Sequence, residues 1–267
     1  MEQPESGSRL VRFAILKPDS QPRTSTQRPV VLEAPIAIEY NGIGYAVMMA
    51  TPTDLQDYAL GFSLSEQLIN DAAELLAVDI HQASPGWIVR VQLSPDRIGK
   101  VIDRARQRVS EGSCGLCGMD NLDEVMRPLP PVTARVDVTP DAIFVALGHL
   151  RTHQPLNRST GAAHAAAFCN PDGTIVMARE DVGRHNALDK LLGGLAQANI
   201  TPSGGFLLLT ARCSFELTQK AIIANCPLLV TISAATDLAI TLAAKHGLQL
   251  ISLARPDGAL AASLQSD

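Results

Sequence analysis

Cys114 and Cys117 stand two residues apart in the run Gly112–Ser113–Cys114–Gly115–Leu116–Cys117–Gly118. A thiolate is a strong nucleophile and a metal ligand, and thiols at this spacing can reach each other. Four chemistries fit the pair itself: a redox disulfide, half of a zinc site, a persulfide carrier, or an inert pair. A closed zinc site needs four ligands. Cys169, Cys213 and Cys226 stand singly; His149, His153 and His164 could complete a cluster, but no second CxxC pair accompanies them. A thioredoxin-type pair follows a strand and opens a helix, whereas Gly112, Gly115 and Gly118 predict a loop.

Three further runs gather polar chemistry. The first is Asn157–Arg158–Ser159–Thr160–Gly161 with His164, read as a helix start whose free N–H groups and Arg158 form an anion site; an ordinary N-cap is the plainer alternative. The second, residues 179–190, crowds Asp181, Arg184, His185, Asn186, Asp189 and Lys190 behind an apolar stretch. His185 and Asp189 are four apart, so Asp189 is expected to orient His185 for acid–base work, unless this is simply a solvated helix start. The third is Arg212–Cys213–Ser214–Phe215–Glu216 with Lys220. There Ser214 is a candidate cap, and Glu216 and Lys220 are a candidate pair at the same spacing. Arg158, Arg184, Lys190, Arg212 and Lys220 all fall near predicted strand-to-helix junctions of a chain whose net charge is −5. That placement predicts a phosphate or pyrophosphate site. Neither GxGxxG nor GxxxxGK[ST] occurs, so a standard dinucleotide fold or P-loop is not expected.

The elements that must position these runs divide the chain in three. Residues 1–29 read as a polar tail with an edge strand at 10–16. Residues 30–105 read as a small α+β domain: a strand at 30–40, a hairpin turn at Asn41–Gly42, a returning strand at 44–50, and a helix capped by Thr51 with Leu55, Tyr58, Phe62 and Ile69 near one face. Strands at 76–80 and 87–93 follow, then a helix from Ser94–Pro95–Asp96 with Ile98, Val101, Ile102, Ala105 and Val109 inward. Residues 106–267 hold the cysteine loop at 112–118, a short helix capped by Asp120, and then alternation. Helices are expected at 141–147, 159–168, 186–196, 215–224 and 237–246, the last stopped by Gly247. Strands are expected at 174–178, 206–210, 228–233 and 248–254. Apolar strands between helices predict a three-layer α/β domain.

Composition bounds the rest. The 267 residues suffice for one large domain or two small ones, and only 4% are aromatic, so the core must be aliphatic. The negative charge disfavours non-specific nucleic-acid binding. Five cysteines in a chain this long make no disulfide scaffold. No leader pattern opens the chain and no apolar run approaches membrane-spanning length, so a cytoplasmic location off the membrane is the expectation.

The runs Gly112 to Gly118, Ser159–Thr160–Gly161–Ala162–Ala163–His164, Glu180–Asp181–Val182–Gly183–Arg184–His185–Asn186–Ala187–Leu188–Asp189–Lys190, and Ser214–Phe215–Glu216 with Lys220–Ala221 occur in this order. Together they resemble the FdhD/NarQ type of formate dehydrogenase accessory sulfurtransferase, over roughly residues 30–255. The resemblance implies sulfur taken from a cysteine desulfurase as a persulfide on Cys114, with Cys117 its partner. It implies transfer to molybdenum on bis-molybdopterin guanine dinucleotide, before that cofactor enters the catalytic subunit of formate dehydrogenase. It also implies a homodimer, a cytidine-deaminase-like larger domain without the deaminase HxE and PCxxC zinc pattern, and no resident metal. GDP, a mimic of the cofactor's nucleotide, is expected between residues 158–164, 181–190 and 212–220. A further cofactor stretch, usually Phe-x-Arg-Gly, falls on Leu253–Ala254–Arg255–Pro256–Asp257–Gly258, with Leu253 and Pro256 departing from the pattern. Cys213 and Ala235 replace a usual Gly or Ser and a usual Pro. A cofactor-binding chaperone that moves no sulfur, and a zinc-dependent hydrolase, are the alternatives from other classes.

Overall fold

The computed structural model describes residues 7–16, 25–110 and 128–263, and the side chains of all of these except 106–110. Cys114, Cys117, their glycine-rich run, Val109 as a helix face residue and the helix expected at Asp120 lie outside the described residues.

β1 (Ser8–Ala14) and β2 (Ser25–Val31) form an antiparallel ribbon. The single strand expected at 30–40 is therefore two, because the chain leaves the ribbon before β3 (Ala34–Tyr40) begins. β3, β4 (Ile43–Ala50), β5 (Leu75–Ala83) and β6 (Gly86–Leu93) make a sheet in the order β4-β3-β6-β5. The β3–β4 turn is the expected one: Asn41 and Gly42 both take left-handed φ, 49° and 83°, which matches the strand twist. The Asn41 side chain also locks β6, donating to the Leu93 carbonyl at 3.1 Å and accepting from its N–H at 3.0 Å.

α1 (Leu55–Ser65) covers this sheet, burying Leu55, Tyr58 and Phe62 among Ile36, Ile38, Val89 and Val91. α2 (Ile98–Ser110) follows a short 3-10 turn at Pro95–Arg97 and buries Val101 and Ala105, as its apolar spacing required. Thr51 does not cap α1: the helix begins at Leu55, and Asp54 occupies the cap position without a side-chain bond to it. Thr51 is engaged elsewhere, as described below.

The second sheet has the order β12-β11-β10-β9-β7-β8. Its strands are β7 (His164–Cys169), β8 (Ile175–Asp181), β9 (Phe206–Leu209), β10 (Leu228–Thr231), β11 (Gln249–Arg255) and β12 (Gly258–Ala261). β9, β10 and β11 are parallel, β7 and β8 form a hairpin antiparallel to β9, and β12 returns against β11. Alternate residues serve opposite faces. Leu207, Leu209, Leu229 and Leu250 pack with α5 (Arg184–Gln197), α6 (Phe215–Ile223) and α7 (Asp237–His246). Phe206, Leu208, Leu228 and Val230 pack with α3 (Pro140–Leu150). α7 ends at Gly247, whose φ of 74° closes the helix as expected.

The helix expected at 159–168 is absent. A short helix, α4 (Pro155–Thr160), stops at Gly161 with φ 71°, and His164–Cys169 is the interior strand β7. Ala165, Ala166 and Ala167 favour helix intrinsically. As strand residues between β8 and β9 they are at most 2% exposed, and that burial outweighs a propensity of a few tenths of a kcal/mol.

The two sheets meet through α1 and α5, which cross at glycine. A Cβ on Gly61 would stand 1.7 Å from the Asp189 carbonyl oxygen, and one on Gly193 would stand 1.8 Å from that of Asp57. Only a missing side chain on each helix lets the backbones touch.

Candidate functional site

The parallel strands β9, β10 and β11 end on one edge of the second sheet, where β8 also ends and β7 begins. Asp181 lies opposite His164 in the β7–β8 register, and α5 leaves directly after Asp181. Chain topology thus brings residues 164, 181–186, 210–216 and 253 to the carboxyl edge, where such sheets bind ligands.

The deepest layer at this edge is a wholly buried ion pair. Lys190 Nζ lies 2.6 Å from Asp181 Oδ2, with both side chains at 0% exposure. Nζ also donates to the Thr51 carbonyl at 2.8 Å, and the same Oδ2 accepts the Thr51 N–H at 3.0 Å. Asp181 Oδ1 accepts from the Gly183 N–H at 2.7 Å and from Asn186 Nδ2 at 3.0 Å. Asn186 in turn donates to the Met49 carbonyl and accepts from the Tyr58 hydroxyl at 3.2 Å. Two charges survive burial only when so fully hydrogen-bonded. Lys190, expected as a phosphate cation, is therefore a joint that ties α5 to the end of β8 and to the β4–α1 connection.

A second layer crosses from α5 to α6 in two side-chain pairs. Lys220 Nζ is 2.6 Å from both Asp189 oxygens and 6.0 Å from the Phe62 ring centre. Burial pushes the Asp189 carboxyl up, against the pull of Lys220. Nearer the mouth, His185 Nε2 is 3.2 Å from Glu216 Oε2, and Ser214 Oγ donates to that oxygen at 2.9 Å. The His185 bond chiefly holds Glu216 down at about 2. Both expected i,i+4 pairs are thereby replaced: Asp189 holds Lys220 rather than His185, and Glu216 holds His185 rather than Lys220. Ser214 sits at the α6 cap position, but its side chain serves Glu216 instead of the helix. Gly183 begins α5 with no side-chain cap either, so two helix N-termini open here without one.

Arg184 opens α5, half-buried, with an Nε that has no hydrogen-bond partner. His164 is held below the ordinary histidine value by burial first and then by Arg184. Arg212 is exposed. The 158–160 run is not a helix start. Arg158, Ser159 and Thr160 end α4, where both hydroxyls donate back to the Leu156 carbonyl and Arg158 donates to the carbonyls of Arg151 and Thr152. The α4 N-terminus is instead closed by Glu180, which accepts from the N–H groups of Leu156 and Asn157 at 2.8 Å each. No free N–H donors remain there for an anion.

The late stretch runs from β11 into β12. Leu253 takes a left-handed φ of 51° at a bulge and donates its N–H to the Ser233 carbonyl at 3.2 Å. Ala254 points into the core at 1% exposure, Arg255, Pro256 and Asp257 are exposed, and Gly258 is half-exposed. Cys213 and Ala235, the two unusual residues, form a bridge with each other. Burial pushes the thiols of Cys169 and Cys226 up to about 12 and raises that of Cys213, so all three are protonated and enclosed.

Sequence reasoning named Thr51 only as a helix cap and Tyr58 only as a helix-face residue, and missed their bonds to Asp181, Lys190 and Asn186 and the Arg179–Asp57 bond at 2.7 Å that also ties α1 to β8. Their partners lie more than a hundred residues away, so no local spacing could have shown them.

Comparison with known proteins agrees with this architecture. Residues 31–261 match the FdhD/NarQ family. A sulfur carrier protein FdhD from Xanthomonas euvesicatoria pv. vesicatoria (strain 85-10) is 44% identical over 231 residues, 86% of this chain and 82% of the relative. One of the same name from Variovorax paradoxus (strain S110) is 42% identical over 228 residues, 85% and 82% of the two chains. A crystal structure from Desulfotalea psychrophila, assigned as a formate dehydrogenase accessory protein, superposes with a TM-score of 0.76 at 21% identity, covering 97% of each chain, and shows the shared fold. The family match over residues 31–261, together with relatives at 42–44% identity across most of the chain, leads to one assignment: the chain belongs to the FdhD/NarQ family.

Proposed function

We propose that the protein carries sulfur for formate dehydrogenase, receiving it from a cysteine desulfurase and delivering it to molybdenum on bis-molybdopterin guanine dinucleotide. The observation that carries this reading is the family membership, with relatives named sulfur carrier proteins at 42–44% identity. Three of the five cysteines support it by exclusion, being buried and protonated. Cys114 is the carrier and Cys117 its assistant. In the first step the Cys114 thiolate attacks the outer sulfur of the donor persulfide. One S–S bond forms, the donor's breaks, and the donor leaves as a thiolate. In the second, the Cys117 thiolate attacks the Cys114 sulfur. A disulfide forms, the persulfide bond breaks, and the outer sulfur leaves as hydrosulfide with the electron pair, to be taken by the acceptor. The disulfide must then be reduced by an external thiol before another cycle.

The cofactor's guanine nucleotide belongs at the carboxyl edge. Arg184, the uncapped N-termini of α5 and α6, and exposed Arg212 offer positive charge and donors to its phosphates. The 253–258 stretch borders the same edge. The two-part organisation at 30–105 and 106–267, the deaminase-like character of the larger part, a homodimer and a cytoplasmic setting complete the reading. No helix among the described residues is long and apolar enough to cross a membrane. Intact-mass measurement after incubation with a cysteine desulfurase and cysteine tests the class. One added sulfur atom, absent in Cys114→Ala, is expected; an unchanged mass in the wild type favours a cofactor chaperone instead.

A further inference from the structure

A carboxylate at the mouth of a phosphate pocket works against binding unless something neutralises it. Glu216 stands at the carboxyl edge where that pocket is proposed, in the first turn of α6, beside His185 in the first turn of α5. Its Oε2 receives the Ser214 hydroxyl at 2.9 Å and lies 3.2 Å from His185 Nε2, while Ser214 Oγ and Nε2 are 3.5 Å apart. We infer that Glu216 is a positioning residue: it fixes the His185 ring so that Nδ1 donates to a nucleotide phosphate only when the ring carries its second proton, which couples nucleotide binding to proton uptake. This rests on the nucleotide pocket proposed above.

Glu216 is ionised at neutral pH, since the His185 bond holds it at about 2. A carboxylate only accepts, so Nε2 must be the donor. In the neutral ring this fixes the Nε2–H tautomer and leaves Nδ1 a bare acceptor, which repels a phosphate oxygen. With a second proton, Nδ1–H becomes a charge-assisted donor. Among the described residues Nδ1 has no hydrogen-bond partner.

The surrounding charges divide cleanly. Arg184 beside His185 on α5, and His164 on β7, oppose a cationic ring. Glu216 on α6 favours one. Asp181 on β8 is committed to Lys190, and Asp189 on α5 to Lys220 on α6. His164 does not compete for the proton, because burial and Arg184 hold it low.

Calorimetric titration of the full chain with GDP, in two buffers of different protonation enthalpy between about pH 6 and pH 8.5, tests the coupling. The wild type is expected to take up protons with GDP, and its affinity to fall toward high pH with a limiting slope of about tenfold per pH unit for one linked proton. Glu216→Gln keeps an acceptor for Nε2–H but removes the charge, so its affinity should stay near wild type at the acid end and fall at lower pH than the wild type does. His185→Gln should bind more weakly, without the slope. A wild type that binds GDP with no proton uptake and a flat profile overturns the coupling while leaving the pocket standing. No GDP binding at any pH overturns both. A Glu216→Gln profile identical to wild type overturns the role of Glu216. Thermal melts accompany each variant. Should Glu216→Gln fail to fold, wild-type proton uptake and the His185→Gln profile still decide.

Discussion

The seam around Asp181 and the rim around Glu216 hold the same kinds of side chain and differ in what can reach them. In the seam, Lys190 and Asp181 are wholly buried, and their partners are each other, Thr51 in the β4–α1 connection, the Gly183 N–H and Asn186 on α5. At the rim, His185 and Glu216 keep 28% and 24% of their side-chain surface, and Arg184 has a donor to spare. The seam therefore joins the two sheets, whereas the rim can still exchange protein partners for a ligand. Charge in a sequence does not separate these uses; only depth does.

The sharpest way to break the comparison is to remove one member of the seam. Lys190→Met leaves Asp181 buried without its cation and is expected to cost about 3–5 kcal/mol in urea unfolding. The double variant with Asp181→Asn should recover part of that loss, a coupling that a double-mutant cycle measures. Next in size is Gly193→Ala at the α1–α5 crossing. Its methyl group would meet the Asp57 carbonyl, so a loss of about 1–3 kcal/mol is expected in the same assay. At the rim the expected effects move from stability to binding. Arg184→Ala should weaken GDP binding at least about tenfold, roughly 1.4 kcal/mol, with an unchanged melting temperature.

The smallest effect is on acid stability. Glu216 is depressed in the folded state from an ordinary 4.5 to about 2. Its contribution is therefore complete above about pH 4.5 and lost as pH falls toward 2. Glu216→Gln should flatten that limb of the stability curve by about 1 kcal/mol, since the pair is partly solvated.

Where the sequence was readable, the signal was local. The Asn41–Gly42 turn and the Gly247 stop depend on φ that few other residues adopt, and both formed as expected. The run 159–168 misled because alanine's helix preference is weak and its neighbours in the sheet are distant in sequence. The i,i+4 pairs of α5 and α6 misled for a related reason. Spacing alone makes His185–Asp189 and Glu216–Lys220 neighbours, but the helices pack closely enough for each acid to find a stronger partner across the gap. The members of the 181–190 run divide between seam and rim by burial, which the sequence does not encode locally.

The proposed carrier of the sulfur is Cys114. Radioactive sulfur supplied as cysteine, with a cysteine desulfurase, tests it most directly on the wild type, Cys114→Ser, Cys117→Ser and the double variant. The wild type and Cys117→Ser should carry the label, and Cys114→Ser and the double variant should not. Label that persists in Cys114→Ser and vanishes in Cys117→Ser reverses the two roles, and label that persists in the double variant contradicts the claim outright.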